Sequence, residues 1–257
     1  DELGVTYIEA GNPGSNPKDM EFFQEMKKVP LKNAELCAFG STRRKDSKCA
    51  EDANLQSLLL AGTDVVVIFG KAWDFQVTDI VQTTLEENLL MIKESVEFLK
   101  ANGRTVIFDS EHFFTAYHNN KDYALKTLEA AIEGGAATVC LCETKGGFLI
   151  DEVREIVSDV VSKYGKKVTV GIHTHNDSGL AVANSMVAVQ SGATHVQGTM
   201  IGIGERTGNA NLSTIIANLQ LKMDYECLPK NNLKNLTAIC KQIAEITNIK
   251  LDADMPY

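Results

Sequence analysis

The sequence predicts an α/β protein that forms most of a (β/α)8 (TIM) barrel, on the basis of three observations. Short apolar segments alternate with amphipathic segments along the whole chain of 257 residues. The apolar segments are rich in Val and Ile and show little polar alternation, which is typical of parallel strands buried on both faces. Successive apolar segments begin roughly 30 residues apart, which suits repeated right-handed βα units.

Seven strands are predicted from the apolar segments. They are expected at Thr6–Gly11, Glu35–Gly40, Asp64–Gly70, Thr105–Ser110, Thr138–Thr144, Lys167–His175 and His195–Met200. A closed barrel of this class has eight strands, so we expect the first strand to lie upstream of Asp1. A doubly wound open sheet is the alternative architecture.

The helices are predicted from apolar residues that recur every three or four positions. They are expected at 84–102, 122–134, 150–163, 178–191 and 231–248. No linker rich in Pro or Ser interrupts the series. We therefore expect a catalytic barrel domain, strands two to eight, over residues 1–228, and a C-terminal helical extension that begins a further subdomain over residues 229–257.

Charge and cysteine content narrow the class of protein. The net charge of −9 disfavours nucleic acid or an anionic membrane surface as a partner. No apolar run of about 18 residues is present, so no membrane-spanning helix is expected. The cysteines lack paired zinc spacings, and we interpret Cys140 and Cys142 as core thiols. A reduced, cytoplasmic protein that acts on small molecules is expected.

Two histidines at the end of the sixth predicted strand form the most informative motif. His173 and His175 are two positions apart, so they point to the same side of the strand, which in a barrel is the interior at the active-site mouth. Two imidazoles in that position can bind one divalent metal ion. Asn209, in the glycine-rich loop 202–211, offers an amide oxygen as a third ligand. A hydrogen-bonded pair of core histidines is the alternative for the motif, and a phosphate-binding loop is the alternative for the loop.

Four further residues near strand ends are candidates for binding or catalysis. Glu111 lies on the same side of its strand as Asp109 and is a candidate general base, with a helix cap or a solvated acid as the alternative. Thr144 offers a hydroxyl to a substrate carboxylate. Arg43 offers positive charge to an anionic substrate or to CoA, with a solvated loop as the alternative. Glu9 is expected to face the mouth and to pair with a cation.

Six segments together resemble the citramalate synthase branch of the 2-isopropylmalate synthase and homocitrate synthase family, within the superfamily of barrels similar to HMG-CoA lyase. They read YIEAGNPGSNPKD, FGSTRRK, VIFGKAWD, FDSEHFF, GIHTHNDSGLAVANS and GIGERTGNANL. The HxHND and GxGERxGN motifs are specific to the superfamily, and the resemblance extends from the first residue to about Leu228. It implies a (β/α)8 barrel, usually a homodimer, that condenses acetyl-CoA with a 2-oxo acid. For this branch the acid is pyruvate, and the pathway is isoleucine biosynthesis.

The resemblance also implies roles for individual residues. His173, His175 and Asn209 would bind the divalent ion, for which Mg, Mn, Co and Zn all suit a set of imidazole and oxygen ligands. Thr144 would contact the 2-oxo acid, and Glu111 would deprotonate or orient the acetyl methyl group. The expected enzyme is therefore an acyltransferase, with acetyl-CoA as co-substrate.

Other members of the superfamily supply the alternatives. They are 2-isopropylmalate or homocitrate synthase, a lyase that runs the reverse carbon–carbon cleavage, and a catalytically impaired or purely binding relative. The loop 202–211 has no reactive cysteine, which disfavours a lyase of the 3-hydroxy-3-methylglutaryl-CoA type.

The sequence departs from the family pattern at several places. The D-x-T-L-R-D-G motif of the family's first strand, with a metal-binding Asp and a substrate-binding Arg, is absent, as is the C-terminal portion that supplies a further His. Glu143 and Lys145 stand where relatives commonly read D-T-N-G-G, and Ile201 stands in place of Asn in N-G-x-G-E-R. The 257 residues by themselves are expected to be a poor catalyst.

Overall fold

The computed structural model describes residues 1–251 and 254–256. Seven parallel strands pair in chain order within one sheet. They are β1 (Tyr7–Glu9), β2 (Glu35–Ser41), β3 (Val65–Lys71), β4 (Thr105–Glu111), β5 (Thr138–Glu143), β6 (Thr169–Thr174) and β7 (His195–Gln197). Sequential parallel order is that of a barrel, whereas a doubly wound sheet reverses its order at a switch point. The predicted barrel architecture is confirmed.

The sheet curls until the side chains of its first and last strands meet. The rings of Tyr7 on β1 and His195 on β7 lie 5.8 Å apart between centroids. β1 and β7 nevertheless remain unpaired with each other and form the free edges of the described sheet. This arrangement is consistent with the expectation of one further strand.

Helices cover the outer face of the sheet. Among the described residues they are α1 (Pro17–Met26), α2 (Ala53–Ala61), α3 (Leu85–Ala101), α4 (Phe113–Asn119), α5 (Lys121–Gly134), α6 (Ile150–Tyr164), α7 (Ala181–Gln190), α8 (Leu212–Lys222) and α9 (Leu236–Thr247). Gly62 and Gly135 end α2 and α5 in the left-handed conformation, which glycine adopts without a steric cost. Within the described part of the chain, none of the helices is both long enough and apolar enough to cross a membrane.

Four helices, α1, α2, α4 and α8, lack a counterpart among the predicted ones. In α1, Pro17 occupies the first turn and the side chain of Asn16 accepts hydrogen bonds from the backbone N–H groups of Lys18 and Asp19. The side chain of Asp52 caps α2 in the same way. Capping residues and a proline at the first helical position are strong start signals. Helices of about ten residues contain too few turns for apolar periodicity alone to reveal them.

The first and last strands are shorter than predicted. After Gln197 the chain leaves the ladder, and the Thr199 N–H bonds to the Ala210 carbonyl of the returning loop. A backbone donor that pairs with a loop cannot also extend a strand. The apolar stretch His195–Met200 therefore ends in a turn after three strand residues.

The interior of the barrel changes from apolar to polar along the strands. Cys37, Val65, Val67 and Ile107 form a buried apolar cluster inside the sheet. Polar side chains follow on the same faces towards the carboxyl ends of the strands. A much larger apolar core separates the sheet from the helices, so the inward polar groups of the described strands gather at the mouth of the barrel.

The C-terminal extension packs against the barrel. Leu236 and Cys240 of α9 share a buried cluster with Ile216 of α8, with Leu228 and with Leu3 near the first residue. The extension therefore joins both ends of the described chain to the same side of the barrel.

Arg43 lies away from the mouth, which corrects the predicted substrate contact. It is 5% exposed, and its guanidinium forms ion pairs of 2.7 Å with Glu87 and 2.9 Å with Glu94, both on α3. Because α3 covers the outside of the sheet, these contacts draw the charge away from the interior. The geometry gives Arg43 a structural role in fixing α3.

Replacing Arg43 with Ala is expected to destabilise the protein without weakening substrate binding. Loss of the two charge-assisted contacts should lower the free energy of unfolding by about 2 kcal/mol. The loss is no larger because both glutamates are partly solvated and stay so without the arginine. Urea unfolding measures this change, and Arg44→Ala, at an exposed neighbouring position, is the control. A rise of more than about 10-fold in the KM for the oxo acid would instead support the predicted substrate contact.

Candidate active site

The carboxyl ends of the strands place five side chains in one inward-facing layer, here called the mouth layer. Lys71 pairs in register with Glu111, and His173 pairs with Cys142 on one side and with Gln197 on the other. Residues paired across parallel strands point to the same side of a sheet. Lys71 and Glu111 form an ion pair, so the layer combines a charged half with an imidazole half.

The two histidines of the HxH motif converge through their Nε2 atoms. These atoms lie 3.3 Å apart, with His173 in the mouth layer and His175 just beyond the end of β6. Burial lowers the pKa of His173 to about 4, and burial also lowers the pKa of His175. Both rings are therefore neutral at pH 7, the form that binds metal ions.

The glycine-rich loop brings Asn209 beside the histidines. Asn209 and His175 form an antiparallel bridge, so their side chains lie on the same face. The Oδ1 atom of Asn209 is buried and has no hydrogen-bond partner among the described residues. A Cβ at Gly204 would lie 2.6 Å from the Asn209 Nδ2 atom, and one at Gly208, where φ is +104°, would clash with the Gly202 carbonyl oxygen. Only glycine allows the loop to close this tightly.

Gln197 connects the imidazole half of the layer to a buried acid. Its Oε1 atom lies 3.0 Å from the Nδ1 atom of His173, and its Nε2 atom donates a 2.8 Å hydrogen bond to Asp109. Burial raises the pKa of Asp109 well above its usual range, and the nearby charge of Glu9 adds to that effect. Asp109 thus lies on the inward side with Glu111, as the two-residue spacing predicts.

Glu9 points into the barrel from the edge strand. Desolvation by the barrel wall raises the pKa of its carboxyl group to about 7, although the free edge of β1 leaves the side chain open to solvent. No cation of residues 1–251 lies within ion-pair distance of it. Its inward direction agrees with the prediction, and the predicted pairing with a cation is not made by the described residues.

Thr144 is held at the mouth through both its side chain and its backbone. Its hydroxyl oxygen accepts a 2.9 Å hydrogen bond from the backbone N–H of His112, and its carbonyl oxygen accepts one of 2.7 Å from Arg206. Arg206 is fixed in turn by two contacts of 2.8 and 3.0 Å with Asp177. The hydroxyl hydrogen of Thr144 has no acceptor among the described residues and is free to donate to a ligand.

Two positions where the chain departs from the family pattern shape the rim of the mouth. The Nζ atom of Lys145 lies 5.5 Å above the ring of Trp73, so its charge is held beside the pocket. Ile201 adopts a left-handed φ of 58°, which is unusual for a β-branched residue. Asparagine, the family's residue at that position, adopts this conformation more readily.

The histidine pair and Asn209 fit a divalent ion better than the other candidate cluster does. Two neutral imidazoles converge there, and a buried amide oxygen has no described partner. The ligand atoms of Asp109, Cys140 and Cys142 also lie within 4.8 Å of one another. However, burial raises the pKa values of Asp109 and Cys140 well above their usual ranges, which disfavours the anionic forms that bind metals.

Glu143 is a buried acid, and only one of its two carboxyl oxygens has a hydrogen-bond partner among the described residues. It is 1% exposed, its Oε1 atom accepts from the Gly147 N–H at 3.3 Å, and its Oε2 atom has no partner among the described residues. Burial raises its pKa from 4.5 to about 7. Between pH 4.5 and about 7, the folded protein therefore keeps a proton on Glu143 that the unfolded protein has lost. The free energy of unfolding consequently falls as the pH rises through this range.

Glu143→Gln is expected to stabilise the protein above pH 7 and to leave it nearly unchanged near pH 4.5. The amide keeps an acceptor for the Gly147 N–H and removes the buried charge, for a gain of up to about 3 kcal/mol. Urea unfolding at pH 5 and pH 8 measures it, with Glu155→Gln on the exposed face of α6 as the control. Glu9 and Asp109 titrate in both proteins, so the difference in free energy of unfolding between wild type and Glu143→Gln reports on Glu143 alone. An equal difference at pH 5 and pH 8 would contradict this reasoning.

Comparison with known proteins gives the class to which this fold and site belong. The family model described as HMGL-like matches residues 1–243, and the chain belongs to that family. A crystal structure of HMG-CoA lyase from Bacillus subtilis superposes with a TM-score of 0.78 at 20% identity, covering 98% of this chain and 85% of the other. At that identity the likeness shows the shared barrel fold.

The curated relatives narrow the similarity within the family. The chain is 56% identical over 257 residues to (R)-citramalate synthase of Aquifex aeolicus, covering 100% of this chain and 48% of that protein. It is 31% identical over 256 residues to a probable 2-isopropylmalate synthase of Methanopyrus kandleri, covering 100% of this chain and 48% of that protein. The chain spans about half the length of these curated relatives.

Three residues of the mouth layer were not identified as site residues from the sequence. Lys71 follows Val65, Val67 and Phe69 at every second position, and Gln197 follows His195 in the same way. A polar residue in phase with inward positions at the carboxyl end of a barrel strand is the signal that would have revealed both. Cys142 was predicted to be a core thiol, and it is a buried free thiol that also borders His173.

Proposed function

We propose that the protein containing this chain is a citramalate synthase, an acyltransferase that condenses acetyl-CoA with pyruvate. The observation that carries the proposal is the mouth of the barrel, where the histidine pair converges at the end of β6 and the ion pair of Glu111 with Lys71 lies at the ends of β4 and β3. The 56% identity to a citramalate synthase over the whole chain supports this substrate class. We further propose a homodimer in the cytoplasm, with residues 1–228 as the catalytic barrel and 229–257 as an extension.

His173, His175 and Asn209 would hold a divalent ion, of which Mg, Mn, Co and Zn all suit these ligands. When bound, such an ion polarises the 2-carbonyl of the oxo acid and stabilises negative charge on its oxygen. The hydroxyl of Thr144 donates to the carboxylate of the oxo acid. Glu9 lines the deeper part of the site and would pair with a cation supplied by the remainder of the protein.

Glu111 would act on the acetyl group. Its carboxylate takes a proton from the methyl carbon of acetyl-CoA, and that carbon then forms a bond to the 2-carbon of pyruvate while the carbonyl π electrons move to oxygen. The ion pair with Lys71 fixes one carboxylate oxygen and leaves the other for the methyl group. The new alkoxide takes up a proton, and water then cleaves the thioester to release CoA and citramalate.

The alternatives are less well supported by the chain. A 2-isopropylmalate synthase is less well supported, because relatives of that name are 31% to 32% identical to the chain. A lyase or a non-catalytic relative would retain the barrel without the synthase reaction. The two synthases differ in the oxo acid that supports release of CoA from acetyl-CoA, whereas a lyase or a non-catalytic relative would release none.

Release of CoA from acetyl-CoA by the full-length protein tests the proposal. Thiol release should require a divalent ion and pyruvate, and mass spectrometry should identify citramalate as the product. A preference for 2-oxoisovalerate would support a 2-isopropylmalate synthase instead. Absence of thiol release with every oxo acid, from protein that is folded and metal-loaded, would refute the synthase proposal.

A further inference from the structure

Among the described residues, Gln197 is the side chain that forms hydrogen bonds with both His173 and Asp109. It is the register partner of His173 on β7, and its amide group spans the gap to β4. The Oε1 atom faces the imidazole Nδ1 at 3.0 Å, and the Nε2 atom faces the Asp109 Oδ1 at 2.8 Å. A single amide therefore connects a buried acid to one of the converging histidines.

The direction of these two hydrogen bonds determines which nitrogen of His173 carries the proton. The Nε2 atom of Gln197 donates to the Oδ1 atom of Asp109, so the NH2 group of the amide faces this carboxyl group. The Gln197 carbonyl oxygen then faces His173 and can only accept. Because a neutral imidazole has a single N–H, the proton lies on Nδ1 and the lone pair remains on Nε2.

His175 differs in this respect. Its Nδ1 atom is buried and has no partner among the described residues, so no described group other than His173 selects its tautomer. In the absence of a cation, the Nε2–H of His175 can donate to the Nε2 lone pair of His173 across 3.3 Å. The two rings are thus unequal, with one prearranged as a ligand and the other free to adapt.

We propose that Gln197, itself oriented by Asp109, is a positioning residue that fixes His173 in the Nδ1–H tautomer and so directs its Nε2 lone pair at the metal. This inference rests on the metal site of the proposed function. Hydrogen bonds of this kind to the remote nitrogen of a ligating histidine fix the orientation of the ring and raise its basicity. Gln197 touches neither substrate nor metal in this role.

The first test measures the binding of Mn²⁺ alone to the full-length protein by equilibrium dialysis. Gln197→Leu should weaken binding about 10–100-fold, the usual effect of removing such a partner. Gln197→Glu should restore affinity to within about 3-fold of wild type, because its carboxylate still accepts from the Nδ1–H. Gln190→Leu, on the exposed end of α7, is the matched control. Equal affinity for Gln197→Leu and wild type would overturn the proposal.

Nitrogen-15 NMR of the metal-free protein labelled at its histidines, five of which lie in these 257 residues, provides the second test. His173→Ala assigns the signal, and wild type and Gln197→Glu should show Nδ1–H and an unprotonated Nε2 at pH 7. Observation of Nε2–H on His173 in wild type would overturn the proposal, even if Gln197→Leu does not fold. If wild type binds no Mn²⁺, the metal site of the proposed function fails, while the NMR result still judges the tautomer separately.

Discussion

His173→Ala and His175→Ala are each expected to abolish divalent-metal binding and turnover of the full-length protein. The two Nε2 atoms converge at 3.3 Å, so removal of either ring leaves the remaining imidazole without the partner that completes the site. Loss of an outer hydrogen-bond partner weakens metal binding about 10–100-fold, and loss of a ligand should exceed about 100-fold. Metal content after dialysis and Mn²⁺ titration measure the effect directly.

His118→Ala is the control for these variants. His118 is exposed on α4, outside the barrel, so its loss should change neither metal content nor turnover. Circular dichroism should show that both ligand variants remain folded, because the pair lies at the polar mouth and not in the apolar floor of the barrel. Normal metal stoichiometry in a folded His173→Ala or His175→Ala protein would remove the pair from the metal site.

Glu111→Gln is expected to lower kcat by at least about 100-fold, the usual contribution of a general base. The amide keeps the size of the side chain but cannot accept the methyl proton, so the KM for the oxo acid should change little. Steady-state thiol release with pyruvate measures both constants. Exchange of the acetyl methyl protons with deuterated water should be lost in parallel if Glu111 is the base.

The control for Glu111→Gln is a substitution at a second glutamate that forms an ion pair with a lysine. Glu133 also pairs with a lysine, Lys93, at 3.0 Å, but it lies on the outer surface. Glu133→Gln should leave kcat unchanged, which separates loss of a base from loss of an ion pair. A wild-type rate for Glu111→Gln would assign the proton transfer to another group.

Much of the architecture followed from the sequence because the determinants are local. The Val- and Ile-rich segments and the apolar periodicity of the longer helices each specify a structure that short segments adopt through backbone sterics and burial. The strands before Lys71 and Glu111 were placed within a residue or two for this reason. Short capped helices such as α1 and strand ends such as that of β7 were missed, because capping contacts and loop pairing override apolar pattern.

The direction of the HxH pair also followed from the sequence, since side chains alternate along any strand. Arg43 shows the limit of that reasoning. Its loop follows a strand end, as Thr144 does, but Glu87 and Glu94 on α3 draw its charge outward. Whether a loop cation faces a substrate or a helix depends on partners about 50 residues away in the chain, which no local pattern encodes.

The sequence alone determined a parallel barrel with two imidazoles on one inward face, because strand periodicity and burial act over a few residues. Only the tertiary structure placed Lys71 against Glu111 and Gln197 between His173 and Asp109. Those contacts depend on the register of the strands, and register is set when the strands pair and their polar groups find partners on other strands.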